Sequence, residues 1–365
     1  MKTNKVNYTN ISYNIKGVNI PSRFFFAPIN TGLSENGILK EEFFEFYKVR
    51  SHSSIGINYI GNVAIDPKYV TNSNTAYFTD QTTQWKNLSK SIRNLGSVPG
   101  IQIACRNSNF TPIRKMINNN TENYLKTVRE DLLNIPTAEI RDIIDKFIDS
   151  CITASNLGFD VVQIHAAHGY FLSQLISKSL NKRDDEFNAL DLLFLKKIIS
   201  GIRSEKPDLI IDLRISFLEG INNEMQEIKE KETLIKKLVE LDIDIISFSN
   251  GIYDINKQFI YPIKQWGHAC FLKNIIGYAK RFPNILWNYS GNIWNINELE
   301  LEKLPTNLSF SLGRSLIADP LFIKKSINNN VHLINRCEYK NKCHYYSLNK
   351  SHIGCPIYEL NKNNR

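Results

Sequence analysis

The stretch FDVVQIHAAHGYFLSQLISKSLNKRDDEF, residues 159–187, decides how the chain is to be folded. It begins with an apolar, β-branched run of strand length (159–164), passes through HAAHGY and turns at once into the helix-like LSQLI. An apolar strand that runs straight into a helix is the unit of a parallel sheet buried on both faces. Reading outward, similar runs recur at 23–29, 56–65, 98–104, 209–216, 242–249, 285–291 and 308–313, with the central one ending at 166. Apolar residues spaced by three and four predict helices at 40–50, 85–95, 137–157, 190–204, 225–241, 270–281, 296–304 and 321–327.

Eight strands, each followed by a helix, predict an α/β protein of the (β/α)8 TIM-barrel type. An open doubly wound sheet would usually carry a Gly-rich fingerprint after its first strand, and APINTGLSENG (27–37) has no GxGxxG. A single barrel domain is expected over residues 1–330, followed by a short Cys-containing extension over 331–365. A polar insertion is expected at 106–138. No Gly/Ser/Pro linker and no internal repeat divides the chain.

The 365 residues are 42% hydrophobic and 22% charged, which is globular composition. The formal charge of +9 raises the question of nucleic acid, but the basic residues are scattered along helix faces and form no block, so none is expected. No apolar run approaches the ~18–20 residues that span a bilayer, so no membrane is expected either. The polar opening MKTNKVNYTNISYNIKG has no apolar signal core, and the expected location is cytoplasmic. The expected partner is a small-molecule substrate, with homo-oligomerisation left open.

In a barrel the chemistry sits at the C-terminal ends of the strands. Those ends carry glycines and hydrogen-bonding groups: 27–31, 61–62, Gln102, 165–170, Arg214, 249–251, 290–292 and 313–314. The pattern predicts a bowl that holds a polar cofactor. WNYSGN (287–292) and SLGRSLIADP (311–320) read as an anion site, with glycines for close backbone approach, helix N-termini, and Arg314 as a full positive charge. His165, His168 and Tyr170 crowd the exit of the central strand. Two imidazoles and a phenol there suit polarising an oxygen and passing a proton.

Residue for residue, 159–187 resembles the old yellow enzyme family of FMN-dependent ene reductases, and LGRSLIADP (312–320) resembles that family's phosphate-holding segment. The resemblance runs from Asn19 to Cys355. It implies FMN as cofactor and NAD(P)H as electron donor. It places the backbone of Ala27, Pro28 and Ile29 against the flavin ring, Asn30 near a flavin carbonyl, and Asn62 in the second strand end, GNVAIDPKY. It pairs Gln102 with the pyrimidine edge and sets Arg214 against the negative charge of reduced flavin. The phosphate falls to Ser290, Gly291, Asn292, Gly313 and Arg314. In the family the His pair binds the substrate's electron-withdrawing group and the Tyr donates the proton. Asn181, Arg183 and Asp184 are read as its structural N-x-R-x-D signature.

Three departures bear on function. NALDLLFLKK (188–197) replaces a Gly-Gly-Ser turn with Glu-Asn-Arg, and IACRN (103–107) replaces His-x-Gly-Arg, so substrate identity stays open. So does the direction of reaction: a dehydrogenase, desaturase or isomerase on the same flavin, or a non-catalytic flavin- or partner-binding barrel. A tRNA-modifying flavin barrel would suit the charge but lacks its catalytic Cys motif here. The tail keeps Cys337, Cys343 and Cys355 of the four-cysteine iron–sulfur pattern of longer relatives, without the second cysteine. A metal-free remnant is expected; a surviving iron–sulfur or Zn site would be held by those three with the help of His344 or His352.

Overall fold

The computed structural model describes residues 11–106, 121–344 and 348–363. Eight parallel strands pair in chain order: β1 (Phe24–Phe26), β2 (Ile57–Ala64), β3 (Val98–Ala104), β4 (Val161–Ala166), β5 (Ile210–Ser216), β6 (Ile245–Ser249), β7 (Leu286–Ser290) and β8 (Leu308–Leu312). β8 returns to β1 with Ser311 opposite Phe25, and β1 meets β2 at Phe26 and Asn58, which closes a (β/α)8 barrel. Apart from Ser290 at the end of β7, every residue of these strands is buried.

Helices wrap the outside. Among the described residues those of five residues or more are α1 (Glu41–Lys48), α2 (Thr82–Asn94), α3 (Thr121–Asn134), α4 (Thr137–Asn156), α5 (Phe171–Ile176), α6 (Leu193–Glu205), α7 (Glu224–Leu238), α8 (Lys273–Arg281), α9 (Arg314–Ala318), α10 (Phe322–Ile327) and α11 (Pro356–Asn363). In α4 the buried Ile140, Ile143, Ile144, Phe147, Cys151 and Ala154 form one stripe against the sheet. In α7 the Asn223 side chain caps the start, with Glu224 and Glu227 in the first turn and Lys236 and Lys237 in the last, as the helix dipole favours.

The structure revises some expected boundaries. β1 is only Phe24–Phe26, and β6 starts at Ile245 rather than 242. The helix expected at 296–304 is two 3-10 turns, Ile296–Leu299 and Leu301–Lys303, split by Glu300 at φ +46°. The expected insertion contains α3, while its residues 107–120 lie outside the described residues. An N-terminal hairpin, Tyr13–Ile15 with Val18–Ile20, was not foreseen.

The barrel interior is layered. At the N-terminal ends of the strands, Phe25, Ile57, Val98, Val161, Ile210, Ile245 and Leu286 form an apolar floor, against which the hairpin's Tyr13, Ile15, Val18 and Ile20 pack. Two residues further along three of these strands, the inward positions turn polar: Gln163, Asp212 and Ser247, joined by Tyr59. The tail returns to the mouth, where the Ile353 amide donates to the Thr31 carbonyl at 2.8 Å. It passes so close that a Cβ on Gly32 (φ +66°) would lie 2.4 Å from the Ser351 carbonyl oxygen. Among the described residues no helix is long and apolar enough to cross a membrane.

Candidate active site

A cavity of about 340 Å³ opens at the C-terminal ends of the strands. Each residue singled out in the sequence as catalytic or cofactor-binding lines it, from Ala27 through Arg314. One more inward step, two residues further along the strands, brings Gln102, His165, Arg214, Ser249 and Ser290 to the surface of this bowl, above the polar layer.

His165 ends β4. The Gln102 side-chain amide reaches Gln163 Oε1 at 2.6 Å and His165 Nδ1 at 3.2 Å, so with Gln102 donating both protons, His165 carries its own on Nε2 and Gln102 Oε1 is left to accept. His168 sits in a left-handed turn at φ +65°, followed by Gly169 at φ +78°. That turn is held by the His168 amide donating to Ser216 Oγ (2.9 Å) and by Tyr253 N–H donating to the His168 carbonyl (3.2 Å). A non-Gly residue there costs on the order of 1 kcal/mol or more, and the turn brings the second ring back beside the first. The His rings are 5.1 Å apart between centroids, and the Tyr170 ring is 4.5 Å from that of His165. His168 Nε2 shares a 2.7 Å hydrogen bond with Ser249 Oγ. Burial holds both imidazoles well below the usual histidine range, and the nearby Arg214 guanidinium adds to the effect. Both rings are neutral at physiological pH.

Beneath them lies a connected polar layer. Gln163 Nε2 (2.5 Å), Tyr59 OH (2.6 Å) and Ser247 Oγ (2.9 Å) all donate to Asp212 Oδ2. Burial nevertheless pushes the Asp212 carboxyl up to about 6. Among the described residues its Oδ1 has no hydrogen-bond partner.

Two arginines mark the ends of the bowl. Arg214 is buried and, among the described residues, donates only a long 3.4 Å hydrogen bond to Ser249 Oγ and leaves Nε without a partner. Arg314 at the start of α9 donates to Asn292 Oδ1 (2.8 Å) and Asn341 Oδ1 (2.9 Å) and lies over the Tyr339 ring, 4.5 Å from its centroid. Among the described residues neither arginine has a carboxylate within 4.0 Å, whereas Arg106, at the mouth, is paired with Asp254. Two guanidiniums with no carboxylate in ion-pair contact among the described residues, one deep in a strand above Asp212 and one at a helix start, fit an elongated ligand that is anionic at both ends.

Residues 13–331 match the profile of the NADH:flavin oxidoreductase / NADH oxidase family. The chain belongs to that family. Within it, the chain is 26% identical over 332 residues to an NADPH dehydrogenase of Clostridium acetobutylicum, covering 86% of this chain and 93% of the relative. It is 25% identical over 344 residues to an NADH oxidase of Thermoanaerobacter brockii, covering 87% of this chain but only 50% of that protein. A solved 2-naphthoyl-CoA reductase in complex with 2-naphthoyl-CoA superposes with a TM-score of 0.79 at 16% identity, over 96% of this chain and 57% of its own. An old yellow enzyme from Pichia sp. superposes with a TM-score of 0.68 at 15% identity, over 96% and 95%. At such identities the superpositions speak for the fold alone.

This old yellow enzyme family membership brings FMN as cofactor, with NADH or NADPH as electron donor. Arg214, Arg314 and the free Gln102 Oε1 suit an anionic ring, a phosphate and a ring N–H. Some side chains are less available than the sequence suggested. Asn292 donates to the Ile263 and Gly267 carbonyls and accepts from Arg314, so its side chain is fully committed and only its backbone faces a ligand. Asn30 bonds Thr75 Oγ1 and the Gly32 amide, keeping one amide proton for the cavity. Asp185, not Asp184, is the ion-pair partner of Arg183, and Asn181 clamps the loop through the Leu175 and Phe187 carbonyls.

Cys337, Cys343 and Cys355 pack in one apolar cluster with Ile317, Ala318 and Ile353. Burial raises all three thiols, that of Cys343 to about 11, which keeps them protonated. Among the described residues no group of three or more His, Cys, Asp or Glu side chains is placed to hold a metal ion. Sequence reasoning missed Thr71, Arg106, Tyr253 and Tyr261 in the cavity wall. They come from loops and carry no spacing signal.

Proposed function

We propose that the protein reduces the activated C=C bond of an α,β-unsaturated carbonyl compound, using electrons from NADH or NADPH. The observation that carries this reading is the pair of neutral, buried imidazoles converging with a phenol on the cavity that Arg214 and Arg314 bracket. When bound, reduced FMN would supply the hydride, and with it both electrons, that the alkene receives. Ala27, Pro28, Ile29, Asn30, Gln102 and Arg214 would hold its ring. Ser290, Gly291, the Asn292 backbone, Gly313 and Arg314 would hold its phosphate.

His165 and His168 bind the substrate carbonyl oxygen. Negative charge grows on that oxygen as the alkene is reduced, so fixed N–H donors act more strongly in the transition state than on the ground state. Neutral imidazoles suit this task, each having one N–H to offer. For His165 that donor is Nε2, because Nδ1 accepts from Gln102. Tyr170 gives its phenolic proton to the neighbouring carbon. The rim residues Arg106, Tyr253 and Tyr261 select what enters.

The test mixes NADPH-reduced protein anaerobically with a simple cyclic enone. Oxidised flavin colour should return as saturated ketone forms. The double variant His165→Ala/His168→Ala should keep FMN and its reduction by NADPH but lose reoxidation by enone. Unchanged reoxidation in that variant rejects the reading, as does a wild type that ignores enones and oxidises their saturated counterparts.

A further inference from the structure

A proton donor that turns over must regain its proton, and the Tyr170 hydroxyl is buried, its residue 4% exposed. The only groups within hydrogen-bond distance of that hydroxyl, among the described residues, are Asn62 Nδ2 at 3.2 Å and Thr71 Oγ1 at 3.0 Å. The same Asn62 Nδ2 also reaches Thr71 Oγ1 at 3.0 Å, so the three side chains close a ring. Asn62 is buried on β2, whereas Thr71 is partly exposed, on the segment between the 3-10 turn Pro67–Tyr69 and the short strand Ala76–Tyr77. All three line the cavity.

A count of donors shows what the ring does. The Asn62 amide nitrogen donates to both hydroxyl oxygens. The remaining bond, hydroxyl to hydroxyl, can run either way. When Thr71 donates, the Tyr170 oxygen accepts twice and its own proton is turned out of the ring, toward the cavity. When Tyr170 donates, that proton is withheld.

We propose that Thr71 returns the proton to Tyr170 from solvent, with Asn62 as the positioning residue that aligns the two hydroxyls. This rests on the reading of Tyr170 as proton donor. In the forward step the Tyr170 O–H bond breaks, a C–H bond forms on the substrate, and the O–H electron pair stays on the phenolate. That phenolate accepts from Asn62 and Thr71. The Thr71 proton then passes to it while a water at the exposed side of Thr71 protonates the threonine oxygen. One solvent proton is consumed per turnover and no electrons move in this step.

The experiment uses FMN-loaded protein in stopped flow, following flavin reduction by NADPH and reoxidation by a cyclic enone separately, in H₂O and D₂O. Thr71→Val should slow steady turnover with enone by about 100-fold and enlarge its solvent isotope effect, while flavin reduction and the flavin spectrum stay as in wild type. Thr71→Ser should restore the rate, and imidazolium buffer should partly rescue Thr71→Val. A Thr71→Val enzyme with wild-type turnover and isotope effect overturns the relay. So does one that loses FMN or slows both half-reactions alike, because Thr71 would then be structural. Wild-type protein that no enone reoxidises, or a Tyr170→Phe variant that is fully active, defeats the underlying reading instead.

Discussion

The same strands are built to opposite rules at their two ends. At the floor, Ile57, Val98, Val161, Ile210, Ile245 and Leu286 pack on one another and on a hairpin that seals the barrel from below. At the mouth, four residues further along the same strands, stand Gln102, His165, Arg214, Ser249 and Ser290. The floor has matched apolar surfaces. The mouth has two guanidiniums, Arg214 buried and Arg314 partly so, with no carboxylate in ion-pair contact among the described residues, and imidazoles held neutral, an arrangement that costs folding energy and makes sense only with a ligand. The rigid floor is what lets the mouth keep groups in places they would not otherwise choose.

The comparison breaks most visibly at the histidines. Removing either imidazole, as His165→Ala or His168→Ala, should cost about 100–1,000-fold in enone turnover, the usual scale for one donor on a developing oxyanion. Thermal stability should fall little, or rise, because a desolvated polar group is removed. Steady-state rates beside melting curves check both. A large drop in stability would move these residues from the mouth's logic to the floor's.

Ile210→Ala applies the same comparison from below. Ile210 is fully buried in the floor. Its truncation should cost about 3 kcal/mol of stability, within the range for buried Ile to Ala, with turnover per folded molecule unchanged. Denaturant titration and active-site flavin content measure the two. Arg314→Ala should come next, weakening FMN binding by about 10–100-fold through the loss of charge-assisted hydrogen bonds, read by fluorescence titration of flavin-free protein. If FMN binds as before, the anion site lies elsewhere than α9.

What was legible in the sequence follows the same division. The strands were readable because burial on both faces makes them nearly continuous apolar runs. His165, His168 and Tyr170 were readable because one strand and its loop deliver all of them. The Thr71 contact was not, since it joins positions 99 residues apart and a lone Thr in a loop carries no pattern. The polar layer left a signal that went unused: Gln163 and His165, Asp212 and Arg214, and Ser247 and Ser249 repeat a polar residue every second position inside apolar strands. The helix expected at 296–304 shows the reverse error, helical spacing overruled at Glu300, whose left-handed backbone splits the segment.

Between floor and mouth lies Asp212, the smallest test and the most specific to the layer. Its carboxyl is raised to about 6 from an ordinary 3.8 by burial, against the pull of its hydrogen bonds and Arg214. Between about pH 4 and pH 6 the folded protein therefore holds more protons at this site than the unfolded chain, and Asp212's contribution to stability falls as pH rises through that window. His165 and His168 act in the opposite sense. Their pKa values are depressed in the fold, so below about pH 6.5 the unfolded chain takes up protons first and stability is lost toward acid. Two imidazoles outweigh one carboxyl, so these three groups together destabilise the fold toward acid, with Asp212 offsetting part of the loss. Asp212→Asn keeps an oxygen for Tyr59, Gln163 and Ser247 but removes the proton uptake. Its stability should fall more steeply than wild type below pH 6, by up to about 1.4 kcal/mol per pH unit, and the two curves should run parallel above pH 7. Urea titrations of FMN-loaded protein from pH 4 to 8 give both curves. Curves parallel throughout would mean that Asp212 is as ionised in the fold as in the open chain, and that the charge of Arg214 is balanced from below rather than by a ligand above.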